Sequence, residues 1–193
     1  MPPRLTRKGE ETRRRIVEGA VSLMRERGPD VSLDDVRAAT ATSKSQLFHY
    51  FPDGRVQLLE EAARHEAEQV LADQRPALDD LGDWPSWEDW RDQVVARYEA
   101  QGRHCPLRAL MSRLSAQEHD EIVADLFARW QESLASGVTR MQAAGRMATG
   151  LTPAEAAAAL LAAVQGGVVI LLATGDSVHL RLALSVVLDR LRP

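Results

Sequence analysis

The sequence predicts an all-α fold: an N-terminal three-helix unit containing a helix-turn-helix, followed by a C-terminal helical bundle that dimerises. Three observations predict it. Apolar residues recur at helical spacing along almost the whole chain, while strand-like alternation is scarce and no Asn-Gly or Asp-Gly turn sits between apolar runs. Two short capped segments flank a small-residue turn between Ser32 and Phe51. The last two helical segments are too hydrophobic for a solvent-facing surface.

At 193 residues, 45% hydrophobic and 27% charged, the chain can build an ordered core. One cysteine excludes an intrachain disulfide and a zinc site built on cysteines of one chain, which fits a cytoplasmic setting. The first 15 residues are charged and lack an apolar run, so no secretory leader is expected. The net charge of −4 is unevenly spread. Residues 1–60 carry 11 Lys+Arg against 9 Asp+Glu, and the rest carry 13 against 19. A basic front on an acidic body suits a protein that meets a polyanion with one end. A solvated charged tail gives the same pattern.

The first helix is expected from Glu10 to Arg27, with Ile16, Val17, Ala20, Leu23 and Met24 on its inner face and Gly28-Pro29 ending it. Ser32 caps a second helix, with Asp35 three residues on, that stops near Ala39. Thr40-Ala41-Thr42 turns the chain, and Ser43 caps a third helix through Tyr50. Pro52-Asp53-Gly54 breaks it before a fourth helix from Arg55 to about Leu71. Residues 75–86 are a connection, and Ser86 caps the next helix, where Trp87, Trp90, Val94 and Tyr98 share a face. A short helix from Leu107 to Leu114 and a long one from His119 to Gly145 follow. Thr152-Pro153-Ala154-Glu155 opens the apolar helix, which ends near Thr174-Gly175. Asp176 or Ser177 caps the last helix, striped by Leu180, Leu184, Val187, Leu188 and Leu191.

A helix-turn-helix needs small residues in the turn, apolar residues to hold the helices at a steep angle, and a polar outer face on the second helix. Ala39 and Ala41 are small; Val36, Leu47 and Phe48 are apolar; Lys44, Ser45, Gln46 and His49 are left to point outward. The free N–H groups at Ser43 favour a phosphate. Ala41 in the turn implies either a backbone outside the left-handed region or about 1 kcal/mol of strain.

Residues 12–59 resemble the DNA-binding domain of the TetR family of bacterial repressors. The resemblance rests on Thr12-Arg13, on Ile16, Ala20, Met24 and Gly28, on Ser32 to Val36, and on Ser43 to Phe51. It departs where Ala41 replaces the turn glycine and Thr42 a usual valine. It implies a homodimer reading a near-palindromic double-stranded operator, each recognition helix in one major groove. On that reading Ser45, Gln46 and His49 read bases, while Ser32, Thr42, Ser43, Lys44, Tyr50 and Arg55 touch the backbone. An arm bearing Arg4, Arg7 and Lys8 would reach phosphates or the minor groove, or remain a tail. The domains are then 1–54 for DNA binding and 55–193 for ligand binding and dimerisation.

In the second domain, Ala156–Ala173 has Gln165 as its only polar residue. Its seven alanines argue for a buried helix over a membrane span. Gly166-Gly167 implies another backbone packed close. A pocket for a small hydrophobic effector is expected among Trp87, Trp90, Tyr98, Met111, Phe127, Trp130 and Gln165, each of which also suits plain core. His104-Cys105-Pro106-Leu107 resembles a Cys-Pro-Leu stretch of the LmrA/YxaF-like subset of TetR proteins; a buried thiol is expected there, not a metal ligand. No catalytic set, phosphate loop or zinc motif appears, so neither enzyme activity nor a cofactor is expected. The sequence therefore points to a repressor released by a small hydrophobic molecule. The alternatives are a regulator of the same fold without an inducer and a helical ligand carrier that does not bind DNA.

Overall fold

The computed structural model describes residues 6–27, 30–102, 105, 107–108 and 113–193. Its helices are α1 (Arg7–Arg27), α2 (Leu33–Ala39), α3 (Lys44–Tyr50), α4 (Arg55–Ala72), α5 (Trp84–Gln101), α6 (Ala116–Ala143), α7 (Pro153–Thr174) and α8 (Val178–Arg190), with a 3-10 turn at Ala77–Asp79. Among the described residues there is no strand. The chain forms two compact units, one of Met1–Glu68 with Pro106–Ile122 and one of Gln69–Cys105 with Val123–Pro193. The division falls within α4 and α6. The start of α4, which sequence reading assigned to the second domain, thus groups with the first unit.

In the first unit, α1 buries Ile16, Val17, Ala20, Val21, Leu23 and Met24, the expected stripe with Val21 added. Gly19 lets α2's end approach: a Cβ there would lie 2.3 Å from Thr40 Cγ2. Charge links α1 to α4. Arg13 pairs with Glu61, and Arg25 donates to the buried Glu66 at 2.6 Å. Removing Arg25 would leave Glu66 a buried, uncompensated charge, which costs far more than an exposed pair contributes. Arg113 reaches Asp30, just ahead of α2, at 2.9 Å.

In the second unit, α5 buries Trp87, Trp90, Val94, Val95 and Tyr98. Its cap is Asp83, whose carboxylate accepts the Ser86 N–H, with Pro85 in the first turn. Ser86, the expected cap, is three residues inside the helix, because the Asp-x-Pro signal outranks it. Helix α6 starts at Ala116, earlier than the expected His119, because Ser115 and Glu118 exchange capping bonds. It buries Leu126, Trp130, Leu134, Val138 and Met141, with Val123 and Phe127 only half-buried. Helix α7 has a full capping box between Thr152 and Glu155 and ends on Gly175 at φ 82°. Helix α8 begins after Ser177, whose side chain makes no cap bond; Asp176 Oδ1 accepts the Val178 N–H at 2.9 Å instead.

The glycine pair on α7 divides its work. A Cβ at Gly167 would lie 2.4 Å from the Leu180 Cα, so α8 packs directly on the α7 backbone there. Gly166 faces open space. The outer faces of both helices stay apolar, with Val169, Ile170, Leu182 and Val186 exposed. Helix α7 is long and apolar enough to cross a membrane by composition, and 44% of its most apolar window is buried within the protein.

Candidate nucleic-acid interface

The two seven-residue helices α2 and α3 bury one residue each, Val36 and Leu47. Neither would stand alone. Each is held by a reciprocal capping box. Asp35 N–H donates to Ser32 Oγ, and Ser32 N–H donates to the Asp35 carboxylate. That bonding holds the Asp35 carboxyl below its usual range. On α3, Gln46 N–H donates to Ser43 Oγ at 3.1 Å, and Ser43 N–H donates to Gln46 Oε1 at 3.2 Å. Two of the N–H groups expected to meet a phosphate are therefore satisfied within the cap.

The turn between them is built on threonines. Thr40 Oγ1 donates to the Val36 carbonyl at 2.7 Å and lies 2.9 Å from Thr42 Oγ1. Both side chains are 5% exposed. Ala41 sits between them at φ +47°, in the left-handed region, so the strain that sequence reading left open is present. Behind α3, Phe51 is fully buried, and the Arg13 guanidinium lies 5.5 Å over its ring. Gly54, at φ +63°, turns the chain into α4 with the Phe48 ring beside it.

The outward face of α3 follows from helical spacing. Leu47 points inward, so Ser45 and His49, one turn apart, point most directly away. Both are exposed, as is Lys44. The Tyr50 ring is half-buried and meets His49 edge-on at 5.0 Å. Arg55 is exposed in the first turn of α4. The structure thus brings Lys44, Ser45, His49 and Arg55 to the surface around α3. Gln46 is also exposed, but its amide oxygen is engaged in the cap, leaving its NH2 as the outward donor. Ser32 and Ser43 spend their oxygens as caps.

Two expectations are corrected. Thr42, assigned to the DNA backbone, is buried and bonded inside the turn. Phe48, assigned to the packing between helices, is 42% exposed beside the outward face of α3. Its position one turn after Lys44 was the available signal, masked by its apolar character. An exposed aromatic edge there suits apolar contact with a thymine methyl. Arg7 and Lys8 lie in the first turn of α1 rather than in an arm, and both are exposed. Arg4 lies outside the described residues.

The residues expected to line an effector pocket are placed unevenly. Trp87, Trp90 and Trp130 are fully buried, and Tyr98 is 6% exposed. Trp87 and Trp90 meet edge-on at 5.9 Å. Burial pushes the Tyr98 hydroxyl up to about 12, so it remains a neutral donor. Phe127 and Gln165 are half-buried, and Met111 and His104 lie outside the described residues. Sequence reading missed Gln74, a buried residue that accepts the Trp90 indole N–H at 2.8 Å and donates to the Val70 carbonyl at 2.6 Å. An open groove of about 520 Å³ lies within the first unit, lined by Arg13, Arg14, Arg64 and His65 with Glu10, Glu61 and Glu68. No cluster of metal-ligating side chains occurs among the described residues.

Fold and site define the class: an all-helical protein presenting a capped helix-turn-helix with an outward polar face. Residues 16–62 match the family model described as bacterial regulatory proteins, tetR family. The chain is 32% identical over 119 residues to the HTH-type transcriptional regulator Rv0196 of Mycobacterium tuberculosis, covering 61% of this chain and 60% of that relative. The match therefore spans less than two thirds of the relative's length. Among solved structures, E. coli NemR in its reduced form superposes with a TM-score of 0.71 at 18% identity, over 95% of this chain and 98% of that one. SmeT, the repressor of a multidrug efflux pump of Stenotrophomonas maltophilia, superposes in its triclosan complex with a TM-score of 0.70 at 19% identity, over 95% and 92%. Residues 16–62 thus match the tetR-family model, and the chain as a whole shares the fold of these solved structures.

Proposed function

We propose that this regulator is a cytoplasmic homodimeric repressor that binds a near-palindromic operator and leaves it when a small hydrophobic molecule binds the C-terminal unit. The observation that carries DNA recognition is the outward face of α3, where Ser45 and His49 stand exposed between Lys44 and Arg55. Ser45, His49 and the Gln46 amide read base edges, and Phe48 adds an apolar contact. Lys44, Tyr50 and Arg55 hold the phosphates. Dimerisation is supported by the exposed apolar residues of α7 and α8 and by the open face at Gly166, which suit a two-fold four-helix interface. Release follows when the effector favours a conformation whose two recognition helices are wrongly spaced for successive grooves. SmeT, with the same fold, has been solved with triclosan, which supports an effector of that greasy, aromatic kind.

A gel-shift titration against DNA upstream of the protein's own gene tests this reading. Salt-sensitive binding to one segment supports it, and no salt-sensitive binding to any sequence overturns it. Val186→Glu, placed on the exposed face of α8, is expected to turn the dimer into monomers in sedimentation while preserving helicity. One observation favours the reading without an inducer: Trp87, Trp90 and Trp130 are fully buried, so an effector must displace packed side chains. A screen in which no drug-like compound releases DNA would decide for it.

A further inference from the structure

The four tryptophans of the second unit divide by what their indole N–H groups donate to. Trp84 donates to the Arg146 carbonyl at 3.0 Å, and Trp90 donates to Gln74 Oε1 at 2.8 Å. Trp87 and Trp130 are fully buried, and neither indole N–H has an acceptor among the described residues. A buried indole N–H normally finds a partner, and leaving one unmatched is destabilising. Two such donors on adjacent helices therefore call for an explanation.

Trp87 packs, with Leu81, against the face of α6 that also carries Trp130. The Trp87 Cζ2 edge, on the nitrogen side of the ring, would lie 3.0 Å from a Cβ at Gly137. Trp130 is two turns before Gly137 on the same face of α6, about 10 Å along the helix. Tyr98, three turns beyond Trp87 on the inner face of α5, adds a buried hydroxyl. The unmatched indole groups here are donors, and the Tyr98 hydroxyl can both donate and accept. Among the described residues, the buried polar side chains of the second unit include Gln74 but no carboxylate, so a cationic ligand would find no buried counter-charge there.

We infer that Trp87 and Trp130 are the polar anchors of the effector site, and that the effector is an apolar, aromatic molecule carrying acceptor oxygens, neither a bare hydrocarbon nor an amine. The inference rests on the effector reading above and deepens it. The two N–H groups are held unmatched until a carbonyl, ether, sulfonyl or phenolic oxygen enters between α5 and α6. Part of the affinity then comes from pairing donors already stripped of water, and a ligand without acceptors forfeits it.

The test uses the full-length protein and three probes of nearly equal size: benzophenone, which carries an acceptor; diphenylmethane, which does not; and benzhydrylamine, which is cationic. Indole N–H resonances of ¹⁵N-labelled protein are followed, assigned through single Trp→Phe variants. Benzophenone, with one acceptor oxygen, is expected to move the Trp87 or the Trp130 signal downfield and to bind about tenfold more tightly than the other two. Replacing Trp87 or Trp130 by 3-benzothienylalanine keeps the ring shape and removes the N–H. It is expected to leave Tm unchanged and, at the position whose signal moves, to weaken benzophenone at least fivefold, whereas the same replacement at Trp90 lowers Tm. Equal binding of benzophenone and diphenylmethane, tight benzhydrylamine binding, or no indole shift with any probe would overturn the inference. So would a fall in Tm at position 87 or 130, which would show those donors already satisfied. DNA release is read separately. Release by a probe that ignores the indole donors would leave the effector reading standing while this inference fails.

Discussion

The helix-turn-helix and the α7–α8 pair are stabilised by opposite means. Helices α2 and α3 bury one side chain each and are held by capping boxes and a threonine network. Helix α7 buries eight residues and lets the α8 backbone rest against Gly167. The first is fixed by hydrogen bonds whose donors and acceptors are spelled out along the chain. The second is fixed by shape. A small unit that keeps a polar face exposed cannot spend that face on burial, so local bonding takes over.

The largest effect should come from the shape-fixed region. Gly167→Val places side-chain atoms against the Leu180 backbone and is expected to cost roughly 3 kcal/mol or more in denaturant unfolding. Gly166→Ala, next along the chain but facing open space, is expected to raise monomer stability by about 0.5–1 kcal/mol. Equal effects at the two positions would break the contrast.

Next comes Tyr98, whose burial raises its hydroxyl from 10.0 to about 12. Only the unfolded chain ionises readily between those values. The stabilisation is therefore complete below pH 10 and is lost as pH rises toward 12, by on the order of 2 kcal/mol. Tyr98→Phe should flatten that alkaline loss in melts recorded across the range. A loss unchanged by the substitution would assign it to other groups.

Within the locally bonded region the effects are smaller. Ser43→Ala is expected to cost about 1 kcal/mol and to fray α3, read by amide exchange at Gln46 and Leu47. Ala41→Gly relieves the left-handed strain and is expected to stabilise by about 0.5 kcal/mol, a small rise in Tm. A fall in Tm would show that the turn tolerates alanine without strain.

The same contrast explains what could be read from sequence. Capping residues declare themselves locally, so Ser32, Ser43 and Thr152 and the bounds of α2, α3 and α4 were legible, as were the inner stripe of α1 and that of α8 except for Val187, which is only half-buried. Ser86 was mistaken for the cap of α5 because Asp83 competes for the role three residues earlier. Side-chain direction at the turn was harder. Thr42 turned inward because Thr40 offered it a partner, and Phe48 turned outward because Phe51 fills the space behind α3. Gly166-Gly167 signalled a close approach, but which glycine made it depended on the position of α8. Gln74 gave no signal, because its acceptor role exists only where α5 brings Trp90 to it.

The central claim is that the outward face of α3 reads DNA, and anisotropy titrations on the upstream segment test it most directly. Lys44→Ala should weaken binding to all sequences alike and reduce the salt slope by about 1. His49→Ala should cost about 1–3 kcal/mol on the preferred segment and almost nothing on unrelated DNA. If both variants bind the preferred segment as the unsubstituted protein does, α3 is not the reading helix and the account fails.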